Sequence, residues 1–238
     1  MDVSDIGALT FDVFGTVVDW RGSVVREGER LGAQKGFDVD WPSFADDWRN
    51  DGYTGGMDRV RRGDLPWMKV DALHRLKLDQ LLEEHGITGL TEAETDHFNR
   101  VWHRLTPWSD VLEGLERLSK GFVLASLSNG NMSLLTNMAK NAGIHWDCVL
   151  SAELSGHYKP DPEVYKAAAD LLGFRTDQVL MVAAHKADLR GAQGAGLRTA
   201  YVTRPDEFGP EGHVDMAPDP SFDVSATDFI DLAAKLGV

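Results

Sequence analysis

The chain has 238 residues, enough for one large domain or two modest ones, and its 42% apolar and 26% charged content is ordinary for a globular protein. A net charge of −14 and a pI near 4.9 argue against nucleic acid or an anionic membrane as a partner, but leave room for an anionic substrate at a local basic site. The single cysteine, Cys148, excludes a disulfide framework and a cysteine-rich metal site; no run approaches the roughly 18 apolar residues of a membrane span. The acidic start, Met1 to Asp5, lacks the basic region of a secretory signal, so a cytoplasmic location is expected.

Ala8-Leu9-Thr10-Phe11 reads as a buried strand of a parallel sheet, ending in Asp12 and followed by Gly15-Thr16. That places Asp12 at a strand's carboxyl end, where open α/β sheets hold their ligands. The alternative is an acid that only caps the following turn. From Gly22 to Leu105 no strand pattern occurs. A helix ends near Gly36, and a second starts at Asp40-Trp41-Pro42 and is interrupted by Gly52, Gly55 and Gly56. A third runs from Leu65-Pro66 to His85, and a fourth follows the capping box Thr91 to Glu94.

Beyond residue 105 the pattern becomes strand–helix alternation. Strands are expected at Phe122 to Leu127, Cys148 to Leu150, Val179 to Ala184 and, as the last clear one, Thr199 to Val202. Asp161-Pro162 opens a helix as N-cap and first residue. Residues 205–220 read as a long loop, and a helix over Ser225 to Leu236 closes the chain. The expected fold class is α/β: a doubly wound parallel sheet formed by residues 1–20 and 106–238, with a helical cap formed by 21–105.

Four polar clusters each follow a strand or short loop: Asp12 with Thr16, Ser128-Asn129-Gly130, Lys159-Pro160-Asp161, and His185 with Asp188. At the carboxyl edge of one sheet they become one site. Taken singly, each has a plainer reading: a surface lysine, turn chemistry for Ser-Asn-Gly, a packed neutral histidine, a helix-start acid.

In this arrangement the chain resembles the haloacid dehalogenase superfamily. Phe11 to Thr16 resembles its nucleophile motif, Ser128-Asn129 the second, Lys159-Pro160 the third and Asp188 the fourth. Trp48-Arg49 in the cap, Ser128-Asn129-Gly130 and Tyr158-Lys159-Pro160-Asp161 with Tyr165 narrow the resemblance to the type II, or L-2-haloacid, dehalogenases. It implies that Asp12 attacks a short 2-haloacid, that water then hydrolyses the ester, and that the protein is a dimer. Trp67, Trp102 and Trp108 then serve an interface or the core.

A superfamily phosphatase carries an acid two residues after its nucleophile to protonate an alkoxide leaving group; here Phe14 stands there, and a departing halide needs no proton. Lys186 stands where a phosphatase has a further acid, and an ammonium beside the pocket would oppose a divalent cation, so neither metal nor cofactor is expected. The implied catalytic group is Asp12, Thr16, Lys159, His185 and Asp188. The implied substrate-binding group is Phe14, Arg49, Ser128, Asn129 and Tyr165, with Tyr53 and Trp48 as further apolar walls. Arg49 reaches for the carboxylate or departing halide, or else is a helix arginine paired with Asp46 or Asp47. His185 replaces a polar residue of the relatives and would activate water, oriented by Asp19 or Asp188. Competing readings are a superfamily hydrolase of another small substrate, including a weak phosphatase, and a catalytically silent binding module.

Overall fold

The computed structural model describes residues 5–210 and 212–238. The first four residues, part of the acidic start considered above, lie outside them. Six parallel strands form one sheet in the order β5 (Cys148–Ser151), β4 (Val123–Ser128), β1 (Ala8–Phe11), β6 (Val179–Ala183), β7 (Arg198–Val202) and β8 (Val224–Ala226). β1 is central, pairing Phe11 with Ser126 on one side and Val182 on the other. All four of its residues are buried. The order runs outward from β1 in both directions, so the sheet's switch point lies beyond Phe11. β8, which extends the edge beside β7, went unread in the sequence: three half-buried residues after an irregular stretch give too short a pattern. The last helix is correspondingly shorter than expected, Phe229–Lys235, capped by Asp228 onto the Asp231 N–H.

Between β1 and the rest of the sheet the chain is helical. It leaves through β2 (Val18–Asp19) and returns through β3 (Thr106–Pro107), which pair antiparallel. α1 (Trp20–Lys35) is capped by Asp19 and closed by Gly36 in the left-handed conformation. α2 (Trp41–Asp47) continues without a break through a π turn, Trp48–Thr54, into α3 (Gly55–Arg61). The expected interruption at Gly52, Gly55 and Gly56 does not occur. Two of these glycines serve close packing against α4 (Val70–Glu84): a Cβ on Gly52 would stand 2.9 Å from Lys77, and one on Gly56 3.2 Å from Leu73. α4 starts five residues later than expected: Leu65 to Lys69 lies outside any helix, Lys69 is extended, and the Met68 carbonyl accepts the Tyr158 hydroxyl. α5 (Glu92–Asn99) begins with the complete capping box of Thr91 and Glu94.

The helical layer has an aromatic centre. Trp48 packs on Phe44, Phe98 and Trp102 with ring centroids 5.3–5.8 Å apart. Burial of such rings, at about 2–3 kcal/mol each, gives this layer its own core. Trp102 is fully buried there, whereas Trp67 stays exposed and the Trp108 indole donates to the Gly15 carbonyl. No helix among the described residues is long and apolar enough to cross a membrane.

α6 (Val111–Leu118), α7 (Met132–Ala142), α8 (Pro162–Leu172) and α9 (Lys186–Gly194) alternate with the strands, and α10 (Phe229–Lys235) packs on α6. Pro162 occupies the first turn of α8, but the Asp161 carboxylate does not cap it. It accepts from the Arg61 guanidinium of α3 at 2.8 and 3.0 Å, joining the helical layer to the sheet layer.

Candidate active site

Asp12 is the first residue past β1; its N–H still donates to the Val182 carbonyl and its side chain is almost fully buried. An isolated carboxylate there would be costly, and the loops around it supply partners. Gly15, at φ +84°, turns the chain back so that Thr16 Oγ1 donates to Asp12 Oδ2 at 2.8 Å while accepting from the Ala184 N–H. Lys159 Nζ donates to Asp12 Oδ1 at 3.0 Å and to Asp188 Oδ2 at 2.6 Å. Lys159 is placed from behind by its own N–H, which donates to Asn129 Oδ1 past the end of β4. The Tyr165 hydroxyl, from α8, donates to Asp188 Oδ1 at 2.5 Å. His185, between β6 and α9, sets Nδ1 3.1 Å from Asp12 Oδ2 and Nε2 2.9 and 3.0 Å from the Glu207 carboxylate.

These distances fix the charges. Burial alone would raise the Asp12 carboxyl, but the Lys159 ammonium and the His185 ring outweigh it and hold it below the usual carboxylate range. Burial would likewise strip Lys159 of its proton; Asp12 and Asp188 keep it charged, above the ordinary lysine value. For His185, burial is overcome by Glu207 and Asp12, which push the ring up to about 10. Asp188 lies above its ordinary value, because burial and the nearby Asp12 charge prevail over Lys159.

Two expectations are corrected here. The orienting partner of His185 is Glu207, not Asp19 or Asp188: Asp19 is occupied as the cap of α1, accepting from the Gly22 N–H. Held between two carboxylates, the imidazole is drawn toward its protonated form, which has no lone pair with which to take a proton from water. The second correction concerns Lys186. Its ammonium turns out to Asp215, 2.7 Å away, and the cation between the site's carboxylates is Lys159. Glu207 itself was missed. It lies in the irregular stretch after β7, with no motif around it, yet it is only 1% exposed and also accepts from the Trp20 indole.

The carboxylates face a cavity of about 240 Å³, lined from the sheet side by Asp12, Asn129, Lys159, His185 and Asp188 and from the helical layer by Arg49, Tyr53 and Thr54. Larger hollows elsewhere contain none of the groups around Asp12. Arg49 makes no ion pair with Asp46, which binds Arg21 at 2.7 and 2.8 Å instead. Its guanidinium lies over Tyr53, and Nη1 is buried without a partner among the described residues. Asn129 spends its oxygen on Lys159, which leaves its amide donors for the cavity.

Phe14, Ser128, Tyr165 and Trp48 are not on the cavity wall. Phe14 supports Tyr53 from behind, edge to face at 5.2 Å. Ser128 Oγ accepts from the Gly130 N–H and shapes the turn, Tyr165 steadies Asp188, and Trp48 donates its indole N–H to the His74 carbonyl.

The donor set does not suit a divalent cation. Oδ1 and Oδ2 of Asp12 accept from Lys159, Thr16 and His185, and Asp188 accepts from Lys159 and Tyr165. A metal there would have to displace an ammonium that both carboxylates already bind, and it would find few oxygen ligands.

A family model described as haloacid dehalogenase-like hydrolase matches residues 6–196. The chain belongs to the haloacid dehalogenase-like hydrolase family. Within that class it is 31% identical over 222 residues to (S)-2-haloacid dehalogenase 1 of Pseudomonas sp. (strain CBS-3), covering 87% of this chain and 91% of the relative. It is 28% identical over 227 residues to (S)-2-haloacid dehalogenase 4A of Burkholderia cepacia, covering 89% and 91%. The crystal structure of a defluorinating L-2-haloacid dehalogenase matches with a TM-score of 0.94 at 43% identity, over 98% of this chain and 96% of that one. Another L-2-haloacid dehalogenase gives 0.93 at 43%, over 97% and 98%.

Proposed function

We propose that the protein hydrolyses short L-2-haloacids to 2-hydroxy acids through a covalent ester on Asp12, without a metal ion. The observation that carries this reading is a buried carboxylate, kept ionised by Lys159, facing a small cavity whose far wall offers the Arg49 guanidinium, with Nη1 lacking a partner among the described residues. Arg49 and the Asn129 amide take the substrate carboxylate or the departing halide as charge-assisted hydrogen-bond donors. An Asp12 oxygen attacks the halogen-bearing carbon from the rear; the carbon–halogen bond breaks, the configuration inverts, and halide leaves with the bonding pair. No acid is needed for this step, in keeping with Phe14 two residues on.

Water then attacks the carboxyl carbon of Asp12. Asp188 is the acceptor for its proton, its basicity raised by burial. Lys159 Nζ, 3.0 Å from Oδ1, donates a proton to the departing 2-hydroxy acid and recovers one from Asp188, 2.6 Å away. Asp12 emerges as the carboxylic acid with one oxygen from water, and releasing that proton to solvent restores the carboxylate. In the same reading residues 1–20 and 106–238 are the catalytic core and 21–105 the cap, and the enzyme is a cytoplasmic homodimer.

A panel of chloro-, bromo- and fluoroacids scored for halide release, with D12N as control, tests the activity. A single turnover in heavy-oxygen water tests the mechanism: the label belongs in Asp12, not in the first product. Phosphate release from phosphate esters without halide release would favour a phosphatase instead.

A further inference from the structure

We propose that the two oxygens of Asp12 have separate duties, Oδ1 attacking the substrate and Oδ2 seating the oxyanion of ester hydrolysis, with Glu207 as the positioning residue that makes His185 a fixed donor to Oδ2. The inference rests on the covalent reading above.

The asymmetry is in the hydrogen bonds. Among the described residues Oδ1 accepts only from Lys159, at 3.0 Å, whereas Oδ2 accepts from Thr16 at 2.8 Å and lies 3.1 Å from His185 Nδ1. The oxygen with a free lone pair is the better nucleophile, so Oδ1 becomes the ester oxygen and Oδ2 the carbonyl oxygen. When water adds to the carboxyl carbon, the carbonyl electron pair moves onto Oδ2. Two donors are already aimed at it, the geometry that stabilises a tetrahedral intermediate. When the bond to Oδ1 breaks, that pair re-forms the carbonyl, and the Oδ1 oxygen leaves with the 2-hydroxy acid.

His185 can donate to Oδ2 only if Nδ1 carries a hydrogen. A neutral imidazole has one N–H and can serve only one of two carboxylates. Here each ring nitrogen faces a carboxylate, Asp12 at Nδ1 and Glu207 at Nε2, so both must be protonated. Glu207 is held for this task by the Trp20 indole and by the nucleophile loop: a Cβ on Gly15 would fall 2.0 Å from its Oε1. The other charged groups at the cavity, Lys159, Asp188 and Arg49, have their own partners or face the substrate. The ring's elevated titration point agrees with this placement.

A structural prop would affect both chemical steps alike, whereas an oxyanion donor acts on the second. The test is rapid-quench single turnover with 2-chloropropionate, following halide, the mass of the protein adduct and the hydroxy acid separately. E207Q is expected to release halide within about threefold of the parent rate and to hydrolyse the ester about 10- to 100-fold more slowly, so that the adduct accumulates. H185Q should show the same split, and serves if E207Q does not fold. Nitrogen-15 histidine shifts should report an imidazolium at about pH 8 in the parent and a neutral ring in E207Q. In the unmodified enzyme, ester hydrolysis should fall as pH rises through the titration of the imidazolium, while halide release persists. Equal slowing of both steps, or ester hydrolysis that climbs steadily through that range, overturns the proposal. Absence of both halide and adduct from the parent enzyme would instead remove the covalent reading itself, and the inference with it.

Discussion

The guanidinium carbon of Arg49 stands 3.9 Å above the ring centre of Tyr53. The ring supplies a flat seat and a cation–π attraction, but no hydrogen-bond acceptor, and Nη1 is buried with its donors unused. An orphaned donor of this kind costs on the order of 1–3 kcal/mol, which an incoming anion repays. R49A should therefore lower kcat/KM at least about 10- to 100-fold, the value of a charge-assisted hydrogen bond, and leave thermal stability unchanged or slightly higher. R49K should not restore activity, because an ammonium lacks the planar fork and the stacking face. Full activity in R49K would show that only a point charge is needed.

Stability should depend on pH in two opposite limbs. His185 titrates at about 10 in the folded protein against an ordinary 6.5, so its contribution is complete below 6.5 and is lost as pH rises through about 10. Asp12 lies below its ordinary 3.8, so its contribution is present above that value and is lost as pH falls below it. Denaturant midpoints measured across pH should peak between these limits, and H185Q should flatten the alkaline limb while leaving the acid one. A parent profile level from neutrality to about pH 10 would contradict the His185 assignment.

Metal chelation should leave halide release intact. Lys159 already bridges Asp12 and Asp188, and a divalent ion would compete with it for the same oxygens. Halide release assayed after exhaustive chelation should match the untreated enzyme, and excess Mg²⁺ should not raise it. Activity abolished by the chelator and restored by Mg²⁺ would show that the ammonium yields its place.

G15A should disable the site from outside it. Gly15 has φ +84°, a region that costs an ordinary residue on the order of 1–3 kcal/mol, and the added methyl would collide with Glu207. Loss of stability by that amount is expected in thermal melts, together with slowed ester hydrolysis, because Glu207 must move away from His185. A variant as stable and active as the parent would show that the loop gives way instead.

The parts of the molecule legible from sequence are those where one strong local rule holds. β1 and the buried strands β4, β6 and β7 are short apolar runs between turn signals, and Asp12, Asn129, Lys159 and Asp188 follow strand or loop ends, where parallel sheets gather ligands. What was hidden depends on distance in space. Gly52 and Gly56 look like helix breakers until α4 is laid against them. Asp161 looks like a cap until Arg61 arrives from α3. Glu207 stands among prolines, glycines and acids with nothing to distinguish it, and only the folded loop brings it to His185 and Trp20. The pull of two carboxylates on the histidine depends on that unseen neighbour, which is why the sequence alone pointed to a base there.

The β2–β3 pairing sets Val18 opposite Pro107 and Asp19 opposite Thr106, a few residues beyond the nucleophile. Outgoing and returning chains thus cross into the helical layer side by side, through a doorway two residues deep. Segments between them can change length without rethreading the sheet, provided the contacts of Trp20 with Glu207, Met68 with Tyr158 and Arg61 with Asp161 are kept. In design terms the doorway is a graft point, at which a new selectivity layer can be mounted on an unchanged reactive floor.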